Sequence, residues 1–125
     1  MQQTNLVLSA SSLDGDNVKN AQGDDLGSIK DIMINMQTGD VEYYVLSFGG
    51  FLGLGDKLFA IPPQAISVDT ENECCILNVE KERLENAPGF DDDNWPNMAN
   101  ESFRDQIYGH YGYDHPSSKN YKQAA

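Results

Sequence analysis

Short apolar segments alternate with turn-forming residues along the chain from Leu6 to about Val79. In one of these segments Ile32 and Ile34 stand on either side of Met33, which is the alternation expected of a strand with one buried face. Segments of this kind, separated by Gly, Pro, Asn and Asp, are typical of sandwiches and barrels. The pattern therefore predicts an all-β fold.

Three residues mark where strands are expected to bend or end. Gly27 lies near the start of the segment that contains Ile32, where a bulge or a sharp bend is natural. Gly39 can adopt the positive φ of a hairpin turn, so the segments on either side of it are expected to pair. Pro62 has no backbone N–H and ends the segment that begins at Lys57.

The strand-like pattern ends after these segments. Good helix formers over residues 80–87 are followed by a Pro-Gly pair and predict one short helix. Beyond Phe90 the apolar pattern fades. We therefore expect one domain over residues 1–97 and a C-terminal tail over residues 98–125.

The tail contains one segment with helical spacing. Phe103 and Ile107 lie four residues apart, on one face of a short helix at 101–108. The residues that follow are rich in aromatic, turn-forming and polar types. We expect this part of the tail to be loose or to become ordered on a partner.

A glycine-rich stretch follows the apolar run of residues 43–48 and raises the question of a phosphate-binding loop. Such a loop needs a helix directly after its glycines, and usually a lysine that reaches the phosphates. Here Asp56 would repel an anion, and a strand-like segment ended by Pro62 follows. We therefore predict a conformational role for the four glycines, which are Gly49, Gly50, Gly53 and Gly55.

Three large apolar residues, Phe51, Leu52 and Leu54, lie between those glycines. In an exposed loop they would form a patch for a partner, and in a loop that folds back they would plug one end of a barrel. Both interpretations stay open at this point. The first makes these residues the candidate interaction site.

Composition restricts the partners and the compartment. The chain has 20 acidic and 8 basic residues and a net charge of -12, which disfavours nucleic acids and anionic lipids. It has no run of about 20 apolar residues for a membrane span and no signal-peptide pattern at its start, so we expect a cytoplasmic protein. Cys74 and Cys75 are adjacent in a strand-like run and are expected to be reduced thiols.

No pattern in the chain predicts catalysis, a cofactor or a metal site. The acidic clusters at 14–17 and 91–94 lack the spacing of a calcium-binding loop, and no nucleophile elbow is present. The cluster of His110, Tyr111, Tyr113 and His115 leaves one alternative open, a small-ligand or metal site in the tail or at the mouth of a barrel. We expect the chain not to be an enzyme.

The order of the turns and strands resembles the PRC-barrel family, which includes the H subunit of the photosynthetic reaction centre and the C-terminal domain of a ribosome maturation factor. The likeness covers about residues 5–97 and is carried by three stretches, DDLGSIKDIMIN at 24–35, TGDVEYYVL at 38–46 and GLGDKLFAIP at 53–62. It implies a small β-barrel of about six short antiparallel strands with one short helix.

The resemblance also implies a function class. Members of the family serve chiefly as docking or assembly modules, so the leading hypothesis is a non-enzymatic protein-interaction module. Exposed strand edges and the Phe51, Leu52 and Leu54 loop would contact a protein partner or a second copy of the chain. A homodimer is the expected assembly.

Overall fold

The computed structural model describes residues 7–48 and 57–116. Within this part of the chain, six strands form a single sheet: β1 (Asn17–Lys19), β2 (Asp25–Ile34), β3 (Val41–Phe48), β4 (Lys57–Ile61), β5 (Ile66–Asp69) and β6 (Cys74–Leu77). The helices are α1 (Ala10–Leu13), α2 (Lys81–Glu85) and α3 (Glu101–His110), with a 3₁₀ helix at Pro63–Ala65. The short helix predicted over residues 80–87 is α2, and the one predicted at 101–108 is α3, whereas α1 is present in addition.

The strand order is β4-β3-β2-β1-β6-β5, and four of the five pairings are antiparallel. The expectation of a purely antiparallel sheet is corrected at β1 and β6, which run parallel with Val18 opposite Cys75. Turn residues predict hairpins between strands that follow each other in the chain. These two strands are distant in the sequence, and local patterns carry no information on their relative direction.

The sheet is curled, as the connection between its two edge strands requires. In a flat six-stranded sheet β4 and β5 would be separated by five strand spacings, or roughly 24 Å. The chain crosses from Ile61 to Ile66, the facing ends of these strands, in five residue steps that reach about 18 Å at most. The two edges must therefore approach each other, and the buried Pro62 begins the connection.

Gly27 lies at a close approach of β2 to β3. Its φ is +116°, and a Cβ built on it would lie 2.0 Å from the carbonyl oxygen of Ser47 on β3. A side chain cannot fit there without moving one of the two strands. The pairing of β2 with β3 continues through two register shifts, between Ile29 and Asp31 and between Met33 and Ile34.

One hydrophobic core lies inside the curled sheet, and α3 contributes to it. Ile107 and Tyr108 of α3, and Tyr111 after it, are buried in the same cluster as Tyr43 and Leu46 of β3. The helix predicted at 101–108 is thus packed against the sheet. Tyr111 and His115, in the segment that was expected to be loose or to become ordered on a partner, are buried as well. The phenol of Tyr108 donates a 2.8 Å hydrogen bond to the carbonyl oxygen of Glu42.

Candidate interaction surface at the β2–β3 hairpin

The hairpin that joins β2 to β3 is held by a dense set of hydrogen bonds around Asn35. The backbone N–H of Asn35 donates to Asp40 O at 2.8 Å, and Gly39 N donates to Asn35 O at 2.7 Å. The side-chain oxygen of Asn35 accepts from the N–H groups of Gln37 and Thr38. Because Gly39 has a φ of +82°, the turn closes within these few residues.

Two apolar side chains project from this hairpin into solvent. Ile34, at the end of β2, is 50% exposed, and Met36, in the turn, is 89% exposed. The turn that fixes their backbone positions is well hydrogen-bonded, so these side chains are presented on an ordered element. Exposed apolar side chains that lie close together on an ordered element form a candidate interaction surface.

An apolar groove of about 260 Å³ lies on one side of the hairpin. It is lined by Leu8, Ala10 and Leu13 around α1, Ile32 and Ile34 of β2, Val41 and Tyr44 of β3, and Val68 of β5. Although β5 is four places away from β3 in the sheet, the curl brings Val68 and Tyr44 to the same groove. No charged side chain of the described residues lines it.

A second cavity of about 540 Å³, here named the methionine cavity, lies between the hairpin and the start of α3. Met33, Met36 and Met98 contribute to its wall, together with Tyr43 and Arg104. It shares Ile34 with the apolar groove. The hairpin is therefore flanked by depressions on two sides.

A third cavity, of about 550 Å³, shares Asn35, Glu42 and His115 with the methionine cavity. The Nε2 of the buried His115 donates to the Glu42 carboxylate at 2.5 Å, and Asn35 donates to the other carboxylate oxygen at 3.3 Å. The ring of His115 also packs edge-on against Tyr108, with 5.0 Å between ring centroids. These contacts fix the chain after α3 to the hairpin.

The two histidines and the tyrosines that follow α3 make separate contacts. His110 Nε2 donates to the carbonyl oxygen of Arg83 at 2.9 Å, and the Arg83 guanidinium donates in return to the carbonyl oxygen of His110. His115 contacts Glu42 instead, and Tyr113 is 37% exposed. The structure thus does not gather this cluster into one ligand site. Among the described residues no three His, Cys, Asp or Glu side chains are placed to hold a metal ion.

The interaction site predicted from the sequence lies outside the described residues. Phe51, Leu52 and Leu54 and the glycines Gly49, Gly50, Gly53 and Gly55 all belong to the stretch 49–56. That prediction stays a prediction. Sequence reasoning missed Ile34 and Met36, although a methionine directly before the Gln-Thr-Gly turn was a usable signal, because a turn tip is normally polar.

Burial shifts the pKa of several groups near this surface. It raises the pKa of the Tyr43 and Tyr108 phenols well above 10.0, with the charge of Glu42 as a second cause for both. On β6, burial also raises the pKa of the Cys75 thiol to about 11. The phenols of Tyr43 and Tyr108 and the thiol of Cys75 are therefore neutral at physiological pH. Both cysteines, Cys74 and Cys75, are buried and unbonded.

The described structure thus combines a curled sheet of six strands, a buried core and a hairpin with exposed apolar side chains. The PRC-barrel domain family matches residues 6–83, which is more than half of the chain. The chain belongs to the PRC-barrel family. Because α3 lies beyond residue 83, the helix that closes the methionine cavity is outside the matched region.

Among solved structures, the chain is similar to RimM from Pseudomonas aeruginosa, which is described there with a role in processing 16S ribosomal RNA. The identity is 17% and the TM-score is 0.42, and the similar region covers 66% of this chain and 50% of RimM. The chain thus spans half of the length of that protein. A comparison with curated proteins gives no match.

None of the helices in residues 7–48 and 57–116 combines the length and the apolar character that crossing a membrane requires.

Proposed function

We propose that this chain is a non-enzymatic protein-interaction or assembly module, and that the β2–β3 hairpin is its docking element. The observation that carries the proposal is the exposure of Ile34 and Met36 on an ordered hairpin between concave surfaces. A protein partner, or a second copy of the chain, would insert its side chains into the depressions beside the hairpin. Ile34 and Met36 would in turn be buried in the surface of that partner.

The shape and chemistry of the surface support this proposal. Energetically important interface residues are large side chains that become fully desolvated in complementary pockets. The apolar groove can take an apolar side chain without desolvating a charge, since no charged side chain lines it. An interface built around Ile34 would therefore gain apolar burial at little electrostatic cost.

Charge and cysteine state favour a protein partner inside the cell. A net charge of -12 opposes association with a nucleic acid backbone. Two unbonded, buried cysteines fit the reducing cytoplasm, which is the compartment we propose. The same charge also opposes self-association at low ionic strength, so a homodimer would strengthen as salt is added.

The proposal is tested by removing the two exposed side chains together. We expect the double variant Ile34→Ser, Met36→Ser to lose the partner, or the dimer, that the native protein shows in sedimentation at micromolar concentration. The variant should still fold, with only a small loss of stability, because Met36 is 89% exposed and Ile34 is 50% exposed. Tyr113→Ser is the control, since it removes another exposed apolar side chain elsewhere.

Two results would count against the module. One is a native protein that is monomeric at all concentrations and retains no partner in affinity capture under native salt. The other is a set of partners, or a dimer, that is unchanged in the double variant.

A further inference from the structure

The apolar groove has the size and chemistry to hold a side chain. At about 260 Å³ it is smaller than the 300–1,000 Å³ that is common for small-molecule sites. Its lining is contributed by the chain around α1 and by β2, β3 and β5, and no charged side chain of the described residues belongs to it. An apolar side chain of another polypeptide is therefore an occupant of suitable size and character.

Exposed apolar side chains are concentrated around this groove. Among the described residues five large apolar side chains are exposed, and four of them, Val7, Leu8, Ile34 and Met36, line the groove or lie within two residues of its lining in the chain. The fifth, Tyr113, follows α3. A gathering of apolar surface at one place is the usual mark of a recognition site.

Acidic residues adjoin the lining at the ends of three elements. Asp14 follows Leu13, Asp40 precedes Val41, and Asp69 follows Val68. Neighbouring Cα atoms are about 3.8 Å apart, whereas charges are screened over about 8 Å in physiological salt. These three carboxylates, here named the acidic rim, are therefore close enough to act on whatever enters the groove.

The described chain places no basic residue beside the acidic rim. No Lys or Arg is a chain neighbour of a lining residue. Lys30, two residues before Ile32, contacts Asp92 Oδ2 at 3.8 Å. Arg104 lines the methionine cavity and contacts Asp105. The groove is thus an apolar centre with negative charge around it.

This arrangement of charge discriminates between possible occupants. In a symmetric dimer built on the groove, the same surface of both copies would meet, so the two acidic rims would face each other. Like charges brought together across an interface oppose association, and the net charge of -12 on each copy adds to this effect. An anionic lipid surface is repelled for the same reason. The charge favours an occupant with positive charge.

We propose that the apolar groove binds a segment of another protein in which an apolar residue is flanked by Lys or Arg. The apolar residue lies against Ile34 and Val68, and the flanking cations lie over Asp14 and Asp40. Burial of the apolar residue supplies most of the affinity, since exposed ion pairs contribute little, and the charges select the partner. This inference rests on the proposed docking function and names the class of its partner.

Three synthetic peptides of seven residues separate the two contributions. The peptide KKLFLKK has an apolar centre and basic flanks, KKSSSKK has the flanks alone, and EELFLEE has the apolar centre with acidic flanks. The full chain, labelled with ¹³C at the Ile, Leu and Val methyl groups, is titrated with each peptide at physiological ionic strength. We expect KKLFLKK to shift the Ile34 and Val68 resonances in a saturable way and to bind at least tenfold more tightly than the other two.

Four results overturn the proposal. If KKSSSKK binds as tightly, the attraction is one of charge alone, and if EELFLEE binds as tightly, charge does not select the partner. If KKLFLKK shifts neither Ile34 nor Val68, the groove is not its site. If the resonances of Ile34 and Val68 change with protein concentration alone, a second copy of the chain occupies the groove.

Two double variants with the same net charge test the acidic rim. Asp14→Asn combined with Asp40→Asn removes two charges of the rim, and Glu82→Gln combined with Glu85→Gln removes two charges from α2. All four side chains are exposed, so both variants should fold. We expect the rim variant to bind KKLFLKK at least threefold more weakly than the α2 variant. Equal affinities would show that only the overall charge matters and would overturn the proposal.

The control is matched because α2 lies far from the groove. The Nζ of Lys81 in α2 is 5.8 Å from the centre of the Phe48 ring. Phe48 ends β3 and Val41 begins it, so seven residue steps, or about 23 Å, separate them along the strand. Charges at this distance are largely screened in physiological salt.

The docking function and the partner class fail through different results. The docking function fails if the native partner stays bound to the double variant Ile34→Ser, Met36→Ser, whatever the charge of that partner. The partner class fails if the peptides bind without regard to their charge, even where the same double variant loses the native partner.

Discussion

At the residue scale, Gly27 and Gly39 show two different reasons why a position requires glycine. Both have positive φ, but a Cβ on Gly39 would meet nothing within 4 Å, whereas a Cβ on Gly27 would collide with Ser47 O. At Gly39 the constraint is the backbone conformation alone. At Gly27 the close contact of β2 with β3 is added to it.

This difference predicts different costs for the same substitution. Gly39→Ala should lower the free energy of unfolding by about 1–2 kcal/mol, the usual penalty for a Cβ in the left-handed region. Gly27→Ala should cost more than about 3 kcal/mol, because the strands must also separate. Urea unfolding of both variants measures this. Equal losses would show that the strands do not meet as described.

Cys75 sets an alkaline limit on stability. Burial, followed by the charges of Asp16 and Cys74, raises the pKa of its thiol from a usual 9.0 to about 11. The unfolded chain therefore loses this proton first, and the contribution to stability that is present below pH 9 declines as the pH rises towards 11.

We expect the free energy of unfolding, measured by urea titration at pH 8, 9 and 10, to fall above pH 9 in the native protein. Cys75→Ala should be less stable at pH 8 but should fall less between pH 9 and 10, because the buried tyrosines, which begin to ionise in the unfolded chain as the pH approaches 10, contribute equally to both proteins. Parallel declines in the two proteins would exclude Cys75 as a cause.

At the element scale, α3 is part of the fold although it lies outside the matched family region. Asn100 begins it, since its side chain accepts from the N–H of Phe103 at 2.9 Å. The buried face is formed by Ile107 and Tyr108, and the phenol of Tyr108 is anchored on Glu42. The helix therefore closes the end of the sheet where the hairpin lies.

Ile107 tests this packing. Because it is 0% exposed, Ile107→Ala should lower the free energy of unfolding by about 2–5 kcal/mol through lost apolar burial and a cavity. Ser102→Ala on the exposed side of the same helix should change it by less than about 0.5 kcal/mol. Thermal or urea unfolding of both variants gives the comparison. An Ile107→Ala variant as stable as the native protein would contradict the docked helix.

Sequence patterns predicted the positions of the strands and helices better than they predicted which elements pack against each other. Alternation and turn residues identified the strands around Gly39, since the pairing of neighbours is a local property. The parallel contact of Val18 with Cys75 and the anchoring of Tyr108 and His115 on Glu42 depend on residues far apart in the chain. The exposed site was missed for a related reason, because alternation shows which face Ile34 occupies and not how deeply it is buried.

At the scale of the whole molecule, the described chain is one packed unit from α1 to His115. The prediction of a barrel over residues 1–97 can be tested by comparing two shortened chains. A chain ending at residue 97 lacks three buried core residues, Ile107, Tyr108 and Tyr111, and should be several kcal/mol less stable or fail to fold. A chain ending at residue 116 keeps them and should match the full protein. Equal stability of both would support an independent 1–97 domain.

The surface of the whole molecule bears on how the proposed module would find a partner. Twenty acidic side chains should repel nucleic acids and, at low salt, other copies of the chain, while the β2–β3 hairpin carries the exposed apolar side chains Ile34 and Met36. In this proposal electrostatics would select against wrong partners, and apolar contacts would hold the right one. The central claim is that the hairpin contacts a second polypeptide.

Site-specific photo-crosslinking in living cells tests that claim most directly. A photoreactive amino acid replaces Met36 in one protein and Gln22, an exposed turn residue between β1 and β2, in another. The account predicts a covalent adduct with a second polypeptide from position 36 and none from position 22. Adducts of equal yield from both positions, or none from position 36, would contradict it.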